Sequence, residues 1–267
     1  MIDELFVREA GPEGGQAGAV LCLHANASSS SQWRGLMDLL APTLRVLAPD
    51  GWGAGKSPPA PADRLPTLGD ELAWLEPAFV RAGTPHSLVG HSHGGALALI
   101  AAQRQPQRVR SLVLYEPTLF ALVDEESPPP NDADGIRQAV ASAARALAAA
   151  RPAEAARHFI DYWMGAGTFG QMPEARRAAI EKSIVGVEGW AHGLTCERTP
   201  LAAFRALEVP VLLMVGSDSP ASSRAVARLL AGALPRVTRV EMQGLGHMGP
   251  VTHPERVNAE IAAFLRR

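Results

Sequence analysis

Leu88-Val89-Gly90-His91-Ser92-His93-Gly94-Gly95 joins a short apolar run, Ser87 to Val89, to a helix-forming segment, Gly95 to Gln103. A serine held on so tight a strand-to-helix turn needs a backbone conformation that crowds its neighbours, and small residues two places before and after it relieve the crowding. Gly90 and Gly94 stand at those places. The turn also aims Ser92 at the N-terminus of the following helix, where free N–H groups and the helix dipole stabilise developing negative charge.

Outward from this turn, apolar runs of strand length recur at Ala19 to Leu23, Leu44 to Ala48, Ser111 to Tyr115, Val211 to Val215 and Thr238 to Met242, with an edge strand expected at Leu5 to Arg8. Helical spacing or composition fills the intervals at Trp33 to Leu40, Leu68 to Arg81, Ser222 to Ala233 and Pro254 to Leu265. This alternation predicts a doubly wound α/β fold, with a mostly parallel sheet covered on both faces. It breaks after Tyr115. A Pro-rich loop, Ser127-Pro128-Pro129-Pro130-Asn131, an Ala-rich helix from Ile136 to Ala150 and a stretch bearing Tyr162, Trp163, Phe169 and Trp190 contain no convincing strand. An inserted helical cap is the economical reading.

Three more segments accompany the Ser92 turn in a fixed order. They are Leu23-His24-Ala25-Asn26-Ala27-Ser28-Ser29, Asp50-Gly51-Trp52-Gly53-Ala54-Gly55-Lys56-Ser57, and Gly244-Leu245-Gly246-His247-Met248 followed by His253-Pro254-Glu255. With these the chain resembles the α/β-hydrolase superfamily over nearly its full length, most weakly in the cap. The resemblance implies a single domain with a sheet of about eight strands and a helical cap after the sixth. The core would span residues 1–116 and 209–267, and the cap about 117–208. It implies a serine hydrolase, with small carboxylic esters, lactones or activated amides as substrates. Carbon–carbon bond hydrolysis, perhydrolysis, or a ligand receptor with slow or no turnover are the alternatives. Haloalkane dehalogenases and epoxide hydrolases carry aspartate where this chain has Ser92.

Serine is a weak nucleophile at neutral pH and needs a neighbouring base, usually a histidine held in one tautomer by a carboxylate. Of eight histidines, only His247 lies in a Gly-rich loop after the last strand, as the order of serine, acid and histidine in the superfamily requires. His24, His91 and His93 flank motif positions, His86 precedes a strand, His158 and His192 fall in the cap, and His253 begins the last helix. Two carboxylates compete for the third place. In Gly216-Ser217-Asp218-Ser219-Pro220 the usual acid position is taken by Ser219, leaving Asp218 displaced by one residue. In Val113-Leu114-Tyr115-Glu116-Pro117, Glu116 occupies the other location known in the superfamily, and it is preferred to Asp218.

The family pattern maps an oxyanion hole onto the backbone N–H groups of Asn26 and His93. Ala25 stands where glycine is usual, which would be strained if that position required positive φ. The His93 and Trp163 side chains are candidates for the pocket wall, but an aromatic in a helical cap is more often core than substrate contact.

The segment from Gly51 to Ser57 imitates a phosphate-binding loop, but that motif needs glycine where Asp50 stands, and a nucleotide site is not expected. A formal net charge of −2 with interspersed signs gives no footprint for nucleic acid. The 47% hydrophobic and 19% charged residues match ordinary globular usage. No run approaches the roughly 20 apolar residues of a membrane span, and Met1 to Arg8 lacks the basic start and apolar run of a secretory signal. Cys22 and Cys196 make no disulfide framework or metal spacing. The expectation is a cytoplasmic protein that needs neither metal nor cofactor and acts on a small molecule as a monomer or homodimer.

Overall fold

The computed structural model describes residues 5–12 and 18–266, so Met1 to Glu4, part of the N-terminal reading above, lie outside the described residues. The strands are β1 (Val7–Ala10), β2 (Ala19–Leu23), β3 (Arg45–Pro49), β4 (His86–His91), β5 (Val109–Tyr115), β6 (Val211–Gly216) and β7 (Val237–Met242). They form one seven-stranded sheet in the order β1-β3-β2-β4-β5-β6-β7. Every neighbouring pair is parallel except β1 with β3. The central strands β2, β4 and β6 are buried at every position, which is why they read as continuous apolar runs rather than alternating ones.

Two expectations shift at the N-terminal edge. β1 pairs directly with β3 from Val7↔Pro49 to Ala10↔Val46, so its position is set by its partner and falls two residues later than Leu5 to Arg8. This single antiparallel strand closes the edge. The described residues give seven strands where about eight were expected, and the run of helices lies between β5 and β6.

Helices α1 (Arg34–Leu40), α2 (Leu68–Ala82) and α3 (His93–Arg104) belong to the first half of the sheet. α2 starts at a capping box, with the Thr67 hydroxyl accepting from Asp70 N–H and the Asp70 carboxylate accepting from Thr67 N–H. Between β5 and β6 come α4 (Ala121–Glu126), α5 (Asp134–Ala148), α6 (Pro152–Met164), α7 (Thr168–Gln171), α8 (Glu174–Ser183) and α9 (Val187–Thr195). No strand is described there. α10 (Ala221–Ala233), α11 (Gly249–Thr252) and α12 (Pro254–Leu265) complete the chain.

Two apolar cores flank the sheet. One joins β2, β4 and β6 side chains to α2, α3, α10 and the inserted helices, including Leu88, Leu99, Phe159 and Trp163. The other packs Trp33, Leu36, Tyr115, Val257 and Ile261 under α1 and α12. Because β3 lies on one side of β2 and β4 on the other, the winding direction reverses between them. That reversal opens a crevice at the carboxyl ends of β2 and β4, the usual place for ligands in open α/β sheets. Among the described residues, no helix is long and apolar enough to cross a membrane.

Candidate active site

Ser92 follows β4 and caps α3 with φ 57° and ψ −119°, a conformation that L side chains rarely adopt. The surrounding backbone holds it there. Ser92 N–H donates to the Tyr115 carbonyl at 3.0 Å, carrying the β4–β5 ladder one residue past the strand. A Cβ on Gly90 would collide with the backbone of Gly94 and Gly95, and one on Gly94 with the Leu23 carbonyl. Glycine at both positions is thus a packing requirement of the turn.

Glu116 follows the adjacent strand in similar fashion, with φ 46° and its N–H donating to the Met214 carbonyl at 3.1 Å. The two residues therefore emerge side by side from neighbouring strand ends. His247 reaches them from the loop after β7. Its Nδ1 lies 2.7 Å from Glu116 Oε2 and its Nε2 lies 2.9 Å from Ser92 Oγ. The network defines the tautomer, since Nδ1–H donates to the carboxylate and Nε2 accepts from the serine hydroxyl. All three side chains are buried, Ser92 at 6%, Glu116 at 0% and His247 at 1% exposure.

The carboxylate is fixed at both oxygens. While Oε2 faces the imidazole, Oε1 accepts from Gly216 N–H at 2.7 Å and from the Ser219 hydroxyl at 2.5 Å. Ser223 Oγ lies 3.3 Å from His247 Nδ1. Asp218, the competing acid, is exposed and accepts from the Ser217 hydroxyl, with no contact to the imidazole.

Two further contacts position the histidine loop. Tyr115 Oη donates to the Gly246 carbonyl at 2.8 Å, and His91 Nε2 donates to the His247 carbonyl at 2.8 Å. The other His91 nitrogen accepts from Gln32 Nε2 at 3.0 Å, and Gln32 Oε1 accepts from Ala25 N–H at 3.2 Å. One glutamine thus ties the loop after β2 to the loop that carries His247. Burial holds the His91 imidazole well below its ordinary titration range and the nearby His247 adds to the effect, so His91 stays neutral.

Asn26 borders two cavities that also touch Ser92. His93 opens α3, where a backbone N–H has no acceptor within its own helix. The strain expected at Ala25 does not fall there; it is Ala27 that carries positive φ, at 54°. The His93 side chain turns away from Ser92, with Nε2 2.9 Å from both oxygens of the buried Glu71. For Trp163 the expectation of a mere core role is corrected. Its ring stacks on the His247 imidazole with centroids 3.9 Å apart and planes at 25°, and it borders both cavities at Ser92.

Sequence reasoning missed Gln32, Glu71, Ser223 and the tie from Ser219 to the acid. Glu71 did leave a trace, as a carboxylate on the apolar stripe of α2 with Leu68, Leu75 and Ala78. The polar residues Gln32 and Ser223 left none, because their partners lie far away in the sequence. Among the described residues no group of three or more His, Cys, Asp or Glu side chains could hold a metal ion.

Sheet, crevice and the buried serine–histidine–carboxylate array together define a doubly wound α/β protein equipped for nucleophilic chemistry at a hydroxyl. A family model described as the alpha/beta hydrolase fold matches residues 18–254, and the chain belongs to that family. It is 27% identical over 98% of its length to a protein named non-heme chloroperoxidase from Streptomyces lividans, of which it covers 96%. It is 26% identical to a protein named pimeloyl-[acyl-carrier protein] methyl ester esterase from Yersinia pseudotuberculosis, with 88% of each chain covered. Among solved structures, a thermophilic esterase from Thermogutta terrifontis superposes with a TM-score of 0.75 at 27% identity, covering 98% of this chain and 93% of the other.

Proposed function

We propose that this α/β hydrolase cleaves small carboxylic esters, including lactones, through an acyl-enzyme on Ser92. The single observation that carries the reading is the unbroken relay from Ser92 Oγ through His247 to Glu116, with contacts of 2.9 and 2.7 Å. His247 Nε2 takes the hydroxyl proton as Oγ attacks the carbonyl carbon. Glu116 orients the ring and stabilises the imidazolium that forms. The N–H groups of Asn26 and His93 receive the oxyanion, and His247 then returns its proton to the departing alkoxide. Water, deprotonated by the same imidazole, attacks the acyl carbon, releases the carboxylic acid and restores the serine.

Every proton transfer in this cycle runs through one histidine, so no step calls on a metal or cofactor. In this reading residues 117–208 serve as the cap over a core of 1–116 and 209–267, and the substrate is a small molecule. Likeness to a protein named non-heme chloroperoxidase favours a second outcome for the same acyl-enzyme, in which hydrogen peroxide takes the place of water and a peracid leaves.

Labelling with a fluorophosphonate, followed by turnover of short p-nitrophenyl esters, tests the reading. Stoichiometric labelling with turnover that disappears in Ser92→Ala supports it. Labelling without turnover points to a ligand receptor, and an active Ser92→Ala protein ends the proposal.

A further inference from the structure

Ser92 stands between two cavities of very different size. The larger, about 420 Å³, lies beneath α5, α6 and α9 and is walled by Phe120, Ile136, Val140, Phe159, Val187 and Leu194. Thr118 also borders it; its buried hydroxyl has no hydrogen-bond partner within the protein, and its N–H reaches the Ser92 carbonyl at 3.3 Å. The cavity thus offers one unpartnered hydroxyl close to Ser92 and a mostly apolar wall beyond it, into which the paired Asp124 and Arg137, with Thr195 and Glu188, bring the polar groups farther along. Exposed Ala141 on α5 and Glu188 on α9 mark the side that opens to solvent. The smaller cavity, about 20 Å³, is bordered by His247, Met248, Met164, Met172 and Ile160, and holds little more than one water-sized group. Trp163 and Phe159 border both.

The chemistry decides which side receives which half of an ester. The leaving oxygen must take its proton from His247 Nε2, so the alcohol departs on the side where His247 forms the wall. Only the small cavity has His247 in its lining. We infer that the substrates are esters of a bulky apolar carboxylic acid with a very small alcohol, the acyl group lying in the cavity under α5, α6 and α9 and the alcohol in the methionine-lined cleft. The inference rests on the acyl-enzyme reading above and adds the substrate's orientation and class. The cleft that releases the alcohol then admits the hydrolytic water, for which its size suffices. Because the acyl cavity opens between α5 and α9, acyl length is tolerated while alcohol length is not.

The test compares kcat/KM for methyl and butyl octanoate and for methyl acetate on the whole protein, alongside fluorophosphonate labelling. Methyl octanoate is expected to exceed both of the others by at least about tenfold, the scale that a few unaccommodated or unfilled methylenes impose. Met172→Ala is expected to raise the butyl-to-methyl ratio, and Leu194→Phe to lower the octanoate-to-acetate ratio, with circular dichroism and labelling showing that each variant is folded. Butyl octanoate equal to or better than methyl octanoate overturns the inference while leaving the ester hydrolase reading intact. So does a butyl-to-methyl ratio that responds to Leu194→Phe and not to Met172→Ala, since the alcohol would then occupy the large cavity. Absence of both labelling and turnover with every ester overturns the parent reading, and this inference with it.

Discussion

The Ser219 hydroxyl donates to Glu116 Oε1 at 2.5 Å, from the turn after β6 to the residue that follows β5. Position 219 is where the family pattern often places the acid itself. In this chain the carboxylate stands one strand away, and a hydroxyl occupies the expected place and holds it. Glu116→Gln is therefore expected to lower kcat by about 10³–10⁴-fold, as loss of the orienting carboxylate does in related triads, while Asp218→Asn leaves the rate unchanged. Ser219→Ala removes one charge-assisted hydrogen bond of about 1.5–3 kcal/mol and should cost about tenfold or more in kcat. The double variant Glu116→Ala with Ser219→Asp returns a carboxylate to the neighbouring strand end. It should recover part of what Glu116→Ala loses; activity no better than the single variant would argue against equivalence of the two positions.

In the proposed mechanism Ser92 and His247 act as a unit, because the serine is activated only through the imidazole. Each alanine variant should lose about 10⁵–10⁶-fold in kcat, and the double variant should lose no more than the worse single one. Steady-state rates with a chromogenic ester measure this directly, and additive losses would show that the two side chains do not share one step.

Gln32 bridges Ala25 N–H and the His91 ring, and His91 in turn holds the His247 carbonyl. Gln32→Leu fills a similar volume but leaves both groups unpaired, allowing the loop after β2 and the histidine loop to drift apart. Displacement on the scale of an ångström costs about 10–100-fold in rate. The loss should appear in kcat with KM little changed, since Gln32 borders neither cavity at Ser92. A change confined to KM would contradict the positioning role.

Burial lowers the titration of His24, His86 and His91 from an ordinary value near 6.5. A histidine whose folded pKa is depressed favours the folded state fully above its unfolded value. As pH falls below about 6.5, the unfolded chain binds protons that the folded one refuses, and stability declines. Thermal midpoints should therefore drop between pH 7 and pH 5. His91→Gln, which removes the most strongly shifted of the three, should flatten that slope even if it lowers the midpoint at pH 7. An unchanged slope in this variant would place the proton uptake elsewhere.

The sequence alone determined the winding pattern and the turn at Ser92, because each depends on local chemistry, and the resemblance in chain order pointed to His247. Apolar runs report strands buried on both faces, and Gly90 and Gly94 report a turn too tight for a Cβ. It also ranked Glu116 above Asp218, though both lay at plausible strand ends. What the chain order could not convey is contact between distant segments. Burial of Asp218 or Glu116 against one imidazole depends on which strand ends lie side by side, and that follows from the sheet order. Ser219 holds the acid from 103 positions away, Gln32 reaches His91 across 59, and Trp163 covers His247 from an inserted helix. Such contacts leave no periodicity or spacing to read. They exist only once the sheet reverses its winding direction between β3 and β4, brings the strand ends together, and lays the inserted helices across them.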